Sequence, residues 1–133
     1  ACAEGLRPIS FYAAAFAGQI AYHDFEGVTI RPEEGDRLIA NLGSKRVMML
    51  RNHGTLVMAA SLPEAFLKHW SLQRACEIQV AASAAGTPVD IPADVIAVHQ
   101  RDLAGVQLPV GPGVPDFQAM VRVIDRIDSS WRQ

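Results

Sequence analysis

The chain has 133 residues, with 12 Lys+Arg against 14 Asp+Glu for a formal net charge of -2 and a pI of about 6.1. Half of the residues are hydrophobic and 20% are charged, which excludes a chain kept disordered by low hydrophobicity and predicts one domain with a buried core. The near-neutral balance, without a Lys/Arg run, removes the electrostatic footprint of a phosphate-backbone binder, so nucleic acid is not an expected partner.

In chain order, residues 9–17 favour helix, with Ile9, Ala13, Phe16 and Ala17 on one face and Gly18 as a stop. A short extended piece over 19–22 follows, then an irregular connector over 23–27. Val28-Thr29-Ile30 reads as a brief strand or as the approach to the next helix. Pro32 suits the first turn of a helix, Glu33 and Glu34 complement its positive end, and Gly43 stops it, which predicts helix over 32–42.

Two strands, 46–51 and 55–59, are expected around an Asn52-His53-Gly54 turn, with the glycine allowing the sharp reversal. Ser61 and Glu64 have capping-box spacing ahead of a helix over 62–85 that ends at Gly86. Its expected apolar stripe is Leu62, Phe66, Cys76 and Val80, interrupted by His69 and Gln73, with Glu64 and Lys68 paired on the solvent side. A loop over 87–92 leads to a helix over 93–103, with Val95, Ile96 and His99 near one face. Gly/Pro-rich residues 105–116 read as loop. The tail 117–131 reads as helix, with Met120, Val121, Ile124 and Ile127 as its stripe.

Cys2 and Cys76 are too few and too far apart for a disulfide framework or a paired-cysteine metal site, so reduced thiols are expected, with Cys76 a small buried hydrophobe. No apolar run approaches the roughly 18 to 20 residues of a membrane span, and no signal peptide is expected at the start. Neither GxGxxG nor GxxxxGK[ST] occurs, and nothing resembles a GxSxG elbow or a HExxH helix.

No two of the four histidines lie at the spacings that bring two imidazoles to one ion from one element. His23 and Asp24 are neighbours on extended chain and point to opposite sides, so His23 reads as structural. His69 and His99 read as hydrogen-bonded core or subunit-contact residues. His53, between two strands, is displayed at a sheet edge. On the residues alone it is either a plain turn histidine or a group with chemistry to do. Tyr12 and Tyr22 both read as packing residues with satisfied hydroxyls, though either could serve at a site.

The strings Tyr22-His23-Asp24-Phe25-Glu26-Gly27, Leu50-Arg51-Asn52-His53-Gly54, Glu64-Ala65-Phe66-Leu67 and Gln73-Arg74-Ala75-Cys76-Glu77-Ile78-Gln79, taken in order, resemble the class II aldolase/adducin head family over about residues 4 to 86. The resemblance implies a three-layer α/β/α fold around a mostly antiparallel sheet, here incomplete, with 1–133 as the C-terminal portion of a single domain. Cytoplasmic homotetramers of carbohydrate metabolism, with active sites between subunits, are its enzymes. These lyases cleave a carbon-carbon bond in a small sugar phosphate or hydroxy-ketone through an enediolate stabilised by a divalent metal, usually zinc.

Three histidines hold that metal in the family, two from a His-x-His pair and the third from the Asn-His-Gly type turn, which His53 matches. A tyrosine from the adjacent subunit handles a proton, and Tyr12 falls at its place, shortly after Pro8-Ile9. The His-x-His pair, the catalytic glutamate and the phosphate loops lie upstream of the segment that opens here with Ala1 and without methionine, so the expectation is either that an N-terminal half is missing or that the chain survives as a remnant. The chain alone is accordingly expected to be inactive and not to retain the metal. Two other readings fit the resemblance: a non-catalytic adducin-like oligomerisation or scaffold module, and epimerase, dehydratase or decarboxylase chemistry on the same site.

Overall fold

A computed structural model of the chain describes residues 2–28 and 30–132. Its elements run α1 (Phe11–Phe16), β1 (Ile20–His23), α2 (Pro32–Leu42), β2 (Val47–Leu50), β3 (Gly54–Val57), α3 (Leu62–Ala85), α4 (Ala93–Gly105) and α5 (Val114–Ile127), closed by a 3-10 turn over Ser130–Arg132. The strands form one sheet in the order β1-β2-β3, with β2 parallel to β1 and antiparallel to β3.

Alternation along the strands sorts side chains into two layers. Ile20 and Val47, with Tyr22, Met49 and Val57 packed beside them, point to one face, where Leu72 of α3 and Phe16 of α1 complete the core. Ala21, His23 and Met48 point to the other face and are buried. There α2 packs on β1, and the Asn41 amide lies 2.8 Å from His23 Nδ1. The α/β/α layering implied by the resemblance is therefore present, built on a small mixed sheet. α4 lies against α1, where Gln100 Nε2 donates to the carbonyls of Ala14 and Ala17 at 3.0 and 2.9 Å, and α5 lies against α3.

Most boundaries follow from caps. Ser10 Oγ accepts from the Ala13 amide at 3.2 Å, so α1 starts two residues later than the helix propensity alone suggests. At α3, Ser61 Oγ accepts from the Glu64 amide at 3.3 Å, and the Glu64 carboxylate reaches back to the Ala60 amide at 3.2 Å. Glu64 also pairs with Lys68 at 2.6 Å, as expected, but both side chains are half-buried rather than on the solvent side. The possible strand over 28–30 is not formed at Val28 or Ile30, and Thr29 lies outside the described residues.

Four expectations are overturned. The Gly/Pro-rich loop ends earlier than Asp116, because Gly113 takes a left-handed φ of 75° as the N-cap of α5 and Pro115 occupies its first turn. That helix also stops at Ile127, since Asp128 turns the chain by accepting from the Ser130 amide and hydroxyl at 2.8 and 3.0 Å. More important, the core-facing side of α3 is Leu72 and Ala75, both fully buried. The expected stripe lies on its outer side instead: Leu62, His69, Gln73 and Val80 are exposed, and Phe66 and Cys76 are half-buried. Periodicity of bulky residues pointed to the wrong face because a small residue, Ala75, takes part in the buried one. The stripe expected on α5 is likewise mostly outward, with Met120, Ile124 and Ile127 exposed.

Gly113 is where α5 meets α3. A Cβ there would fall on the Pro63 carbonyl group, deep inside van der Waals contact, and within 3.0 Å of Leu67 Cβ, at a φ that side chains rarely adopt. Gly113→Ala is expected to destabilise the chain by about 2 kcal/mol or more. In amide exchange, protection should fall along α5 while that of β2 is kept; unchanged exchange in α5 would contradict this docking.

Candidate functional site

The hairpin between β2 and β3 carries the first-choice residue. Leu50 pairs with Gly54, so Arg51, Asn52 and His53 form the turn, closed by the His53 amide donating to the Leu50 carbonyl at 3.1 Å. The residue that reverses the chain is Asn52, at φ 57°, a conformation asparagine tolerates better than most. Gly54 is already in β3 with an ordinary φ, so the expected role of the glycine passes to the asparagine. The His53 imidazole is exposed, makes no hydrogen bond to the described residues, and stacks on the Phe25 ring at a centroid distance of 6.4 Å.

His53 stands at the rim of a cavity of about 500 Å³. Its wall is organised by Arg51. The Arg51 amide donates to the His23 carbonyl at 2.8 Å, which prolongs the pairing of β2 with β1 past the end of the strand. Its guanidinium lies 4.9 Å from the centre of the Tyr22 ring, donates to the carbonyls of Cys2 and Ala3 at 3.1 Å, and reaches Asp24 at 3.2 Å. Tyr22 in turn accepts from the Leu6 amide at 3.0 Å through its hydroxyl. Gln79 of α3 holds the same segment, accepting from the Arg7 amide at 2.7 Å and donating to the Gly5 carbonyl at 2.9 Å. Cys2 and Cys76 also line this cavity.

Behind the hairpin, the connector 24–27 that carries Phe25 is fastened to α2. Arg37 Nε donates to Glu26 Oε1 at 2.9 Å, and Arg37 Nη2 closes on the second carboxylate oxygen. That hydrogen bonding holds the Glu26 carboxyl below its ordinary value, helped by the Arg37 charge and opposed by partial burial. His23, buried at the end of β1, places Nε2 at 3.7 Å from Glu26 and 3.8 Å from Glu34, both beyond hydrogen-bond length. His23 thus lies in β1 rather than in a loop, with Nδ1 at 2.8 Å from the Asn41 amide, and the exposed Asp24 carboxylate pairs with Arg51.

The second expected site residue, Tyr12, is elsewhere. It sits on α1, half-buried, with its ring edge-on to Phe11 at 5.7 Å and to Trp70 of α3 at 5.6 Å, and it does not line the His53 cavity. His69 is exposed rather than in the core. His99 Nε2 is buried without a hydrogen-bond partner among the described residues, and the ring packs edge-on against Phe11 at 4.6 Å. Cys76 is half-buried rather than sealed in the core. Arg51, Phe25 and Gln79 escaped sequence reasoning as site residues; their role comes from contacts between segments distant in the chain.

Among the described residues, no three His, Cys, Asp or Glu side chains converge as a metal-binding group. The residues present offer one imidazole and do not fit a complete metal centre, which needs three or four donors.

The chain matches the family described as "Class II Aldolase and Adducin N-terminal domain" over residues 1–80, and it belongs to that family. It is 35% identical to a protein of Pseudomonas aeruginosa described as a putative aldolase class 2 protein, over 98% of this chain and 51% of that one. It is 36% identical to rat alpha-adducin over 92% of this chain and 18% of the adducin. The crystal structure of an aldolase II superfamily protein from Pseudomonas syringae superposes on the whole chain with a TM-score of 0.89 at 39% identity, covering 53% of that chain. An L-fuculose 1-phosphate aldolase from Glaciozyma antarctica shares the fold, with a TM-score of 0.69 at 21% identity over 91% of this chain and 45% of that one. The chain thus spans about half the length, or less, of the relatives it matches. Among the described residues, no helix is long and apolar enough to cross a membrane.

Glu26 gives the site region a pH signature. A carboxyl whose value is lowered by folding stabilises fully above its ordinary value of 4.5, and that contribution is lost as pH falls from there through the lowered value. Glu26→Gln is therefore expected to flatten the acid limb of the stability curve, read from urea midpoints at successive pH values. An acid limb as steep as that of the unmutated chain would show that the Glu26–Arg37 pair does not hold the connector.

Proposed function

We propose that this chain is the His53-bearing part of a class II aldolase-like lyase that cleaves a carbon-carbon bond in a small sugar phosphate or hydroxy-ketone, working within a longer protein. The observation that supports this reading most is the exposed imidazole of His53, which makes no hydrogen bond to the described residues and is held on the β2–β3 hairpin at the rim of the 500 Å³ cavity. In this reading His53 is one of three ligands to a divalent ion, zinc by preference, and the remaining ligands come from sequence beyond the 133 residues. The ion, when bound, supplies positive charge to the oxygens of the substrate.

The chain's own residues then have limited tasks. Arg51 fastens the base of the turn, Phe25 stacks on the imidazole, and Tyr22, Leu6 and Gln79 keep the cavity wall in place. Tyr12, outside this cavity, serves the site of a neighbouring subunit in a cytoplasmic homo-oligomer, as a proton carrier. The 36% identity to alpha-adducin over nearly the whole chain favours a second reading, a non-catalytic oligomerisation module on the same fold.

The natural protein that contains these residues separates the two. In the lyase reading it binds one divalent ion per protomer, and His53→Ala loses the ion and lowers retro-aldol turnover by about 100-fold or more. Tyr12→Phe keeps the ion and lowers turnover by roughly 100-fold. Full metal occupancy in His53→Ala would remove the ligand assignment, and a protein that oligomerises without metal or turnover would establish the scaffold reading.

A further inference from the structure

We propose that Cys2 and Cys76 form a redox pair that closes into an intramolecular disulfide across the mouth of the cavity beside His53. The two cysteines are remote in sequence, and the fold brings them to the walls of one cavity. Cys2 begins a turn closed by the Gly5 amide donating to the Cys2 carbonyl at 3.0 Å. Gly5 is held by Gln79, which lies one helical turn beyond Cys76 on α3, and Arg51 grips the Cys2 and Ala3 carbonyls from the hairpin side. The turn therefore lies over the stretch of α3 that carries Cys76.

The thiols differ in accessibility. Cys2 is exposed, whereas Cys76 is half-buried and opens into the cavity. Burial is the main cause that pushes the Cys76 thiol up. Cys2 is thus the group that meets an external oxidant first.

The oxidant is a small-molecule disulfide such as glutathione disulfide. The Cys2 thiolate attacks one of its sulfurs, forming a mixed disulfide and expelling one glutathione thiolate. Cys76 then gives its proton to solvent, and its sulfur attacks the Cys2 sulfur, forming the Cys2–Cys76 bond and expelling the second thiolate. Two protein thiols are oxidised and one disulfide is reduced, so electrons balance. The closed bond pins residues 2–6 to α3 and narrows the way to His53. The pair closes whether or not His53 binds metal.

The natural protein that contains these residues, incubated folded with glutathione disulfide and measured by non-reducing intact mass and peptide mapping, tests the pair. The expected product is a monomer lighter by two hydrogens, with a Cys2–Cys76 linked peptide, restored by dithiothreitol. Cys76→Ser should stop at a stable glutathione adduct on Cys2. Adducts on both cysteines, an adduct on Cys2 that persists beside a free Cys76 in the unmutated chain, or disulfide-linked dimers would each overturn the proposal.

Discussion

Strand β2 is bonded on both sides, and the rest of the molecule hangs on that arrangement. Its parallel ladder with β1 brings Tyr22 and His23 level with Met49 and Leu50, and its antiparallel ladder with β3 fixes where the chain reverses. Because parallel strands cannot be joined by a tight turn, α2 must cross between β1 and β2, and it buries Ala21 and His23 as it does so. The bond from the Arg51 amide to the His23 carbonyl carries this order one residue beyond the strand, to the threshold of the His53 turn.

What the sequence disclosed, and what it hid, follows from the range of the forces involved. Caps and turn residues act within a few positions, so α2 and α3 match their expected spans and the strands shift by a residue or two at their ends. His53 was legible as a displayed histidine for the same reason, since the turn that presents it is local. The inward face of α3 was not. Two stripes run side by side along this helix, one bulky and one containing Ala75, and only the neighbouring elements decide which is buried. Tertiary closeness selected the small residue.

The cavity wall was hidden for a related reason. Arg51, Tyr22, Leu6 and Gln79 come from four separate stretches and touch only after β1, β2 and α3 are assembled. A charged side chain satisfied by an aromatic ring, backbone carbonyls and Asp24 leaves no periodic mark in the sequence. The family strings did mark it indirectly, because Arg51 stands within the Leu50–Gly54 string and Gln79 ends the last one.

A single imidazole binds a divalent ion weakly, because capturing the ion costs its translational freedom and one bond offsets little of that. Affinity rises when the second and third donors are already held nearby, since each later bond forms at a high effective concentration. The contribution one half of such a site can make is therefore rigidity. Here the His53 turn is tied at its base by the β2–β3 ladder, at its flank by Arg51, and at its ring by Phe25, whose connector is fastened by Glu26 to Arg37. A loosely held histidine would give back in conformational entropy much of what chelation gains. In the lyase reading proposed above, the hairpin would have lost that freedom on folding, before any ion arrives, and would offer His53 to donors from elsewhere, since among the described residues no three His, Cys, Asp or Glu side chains converge.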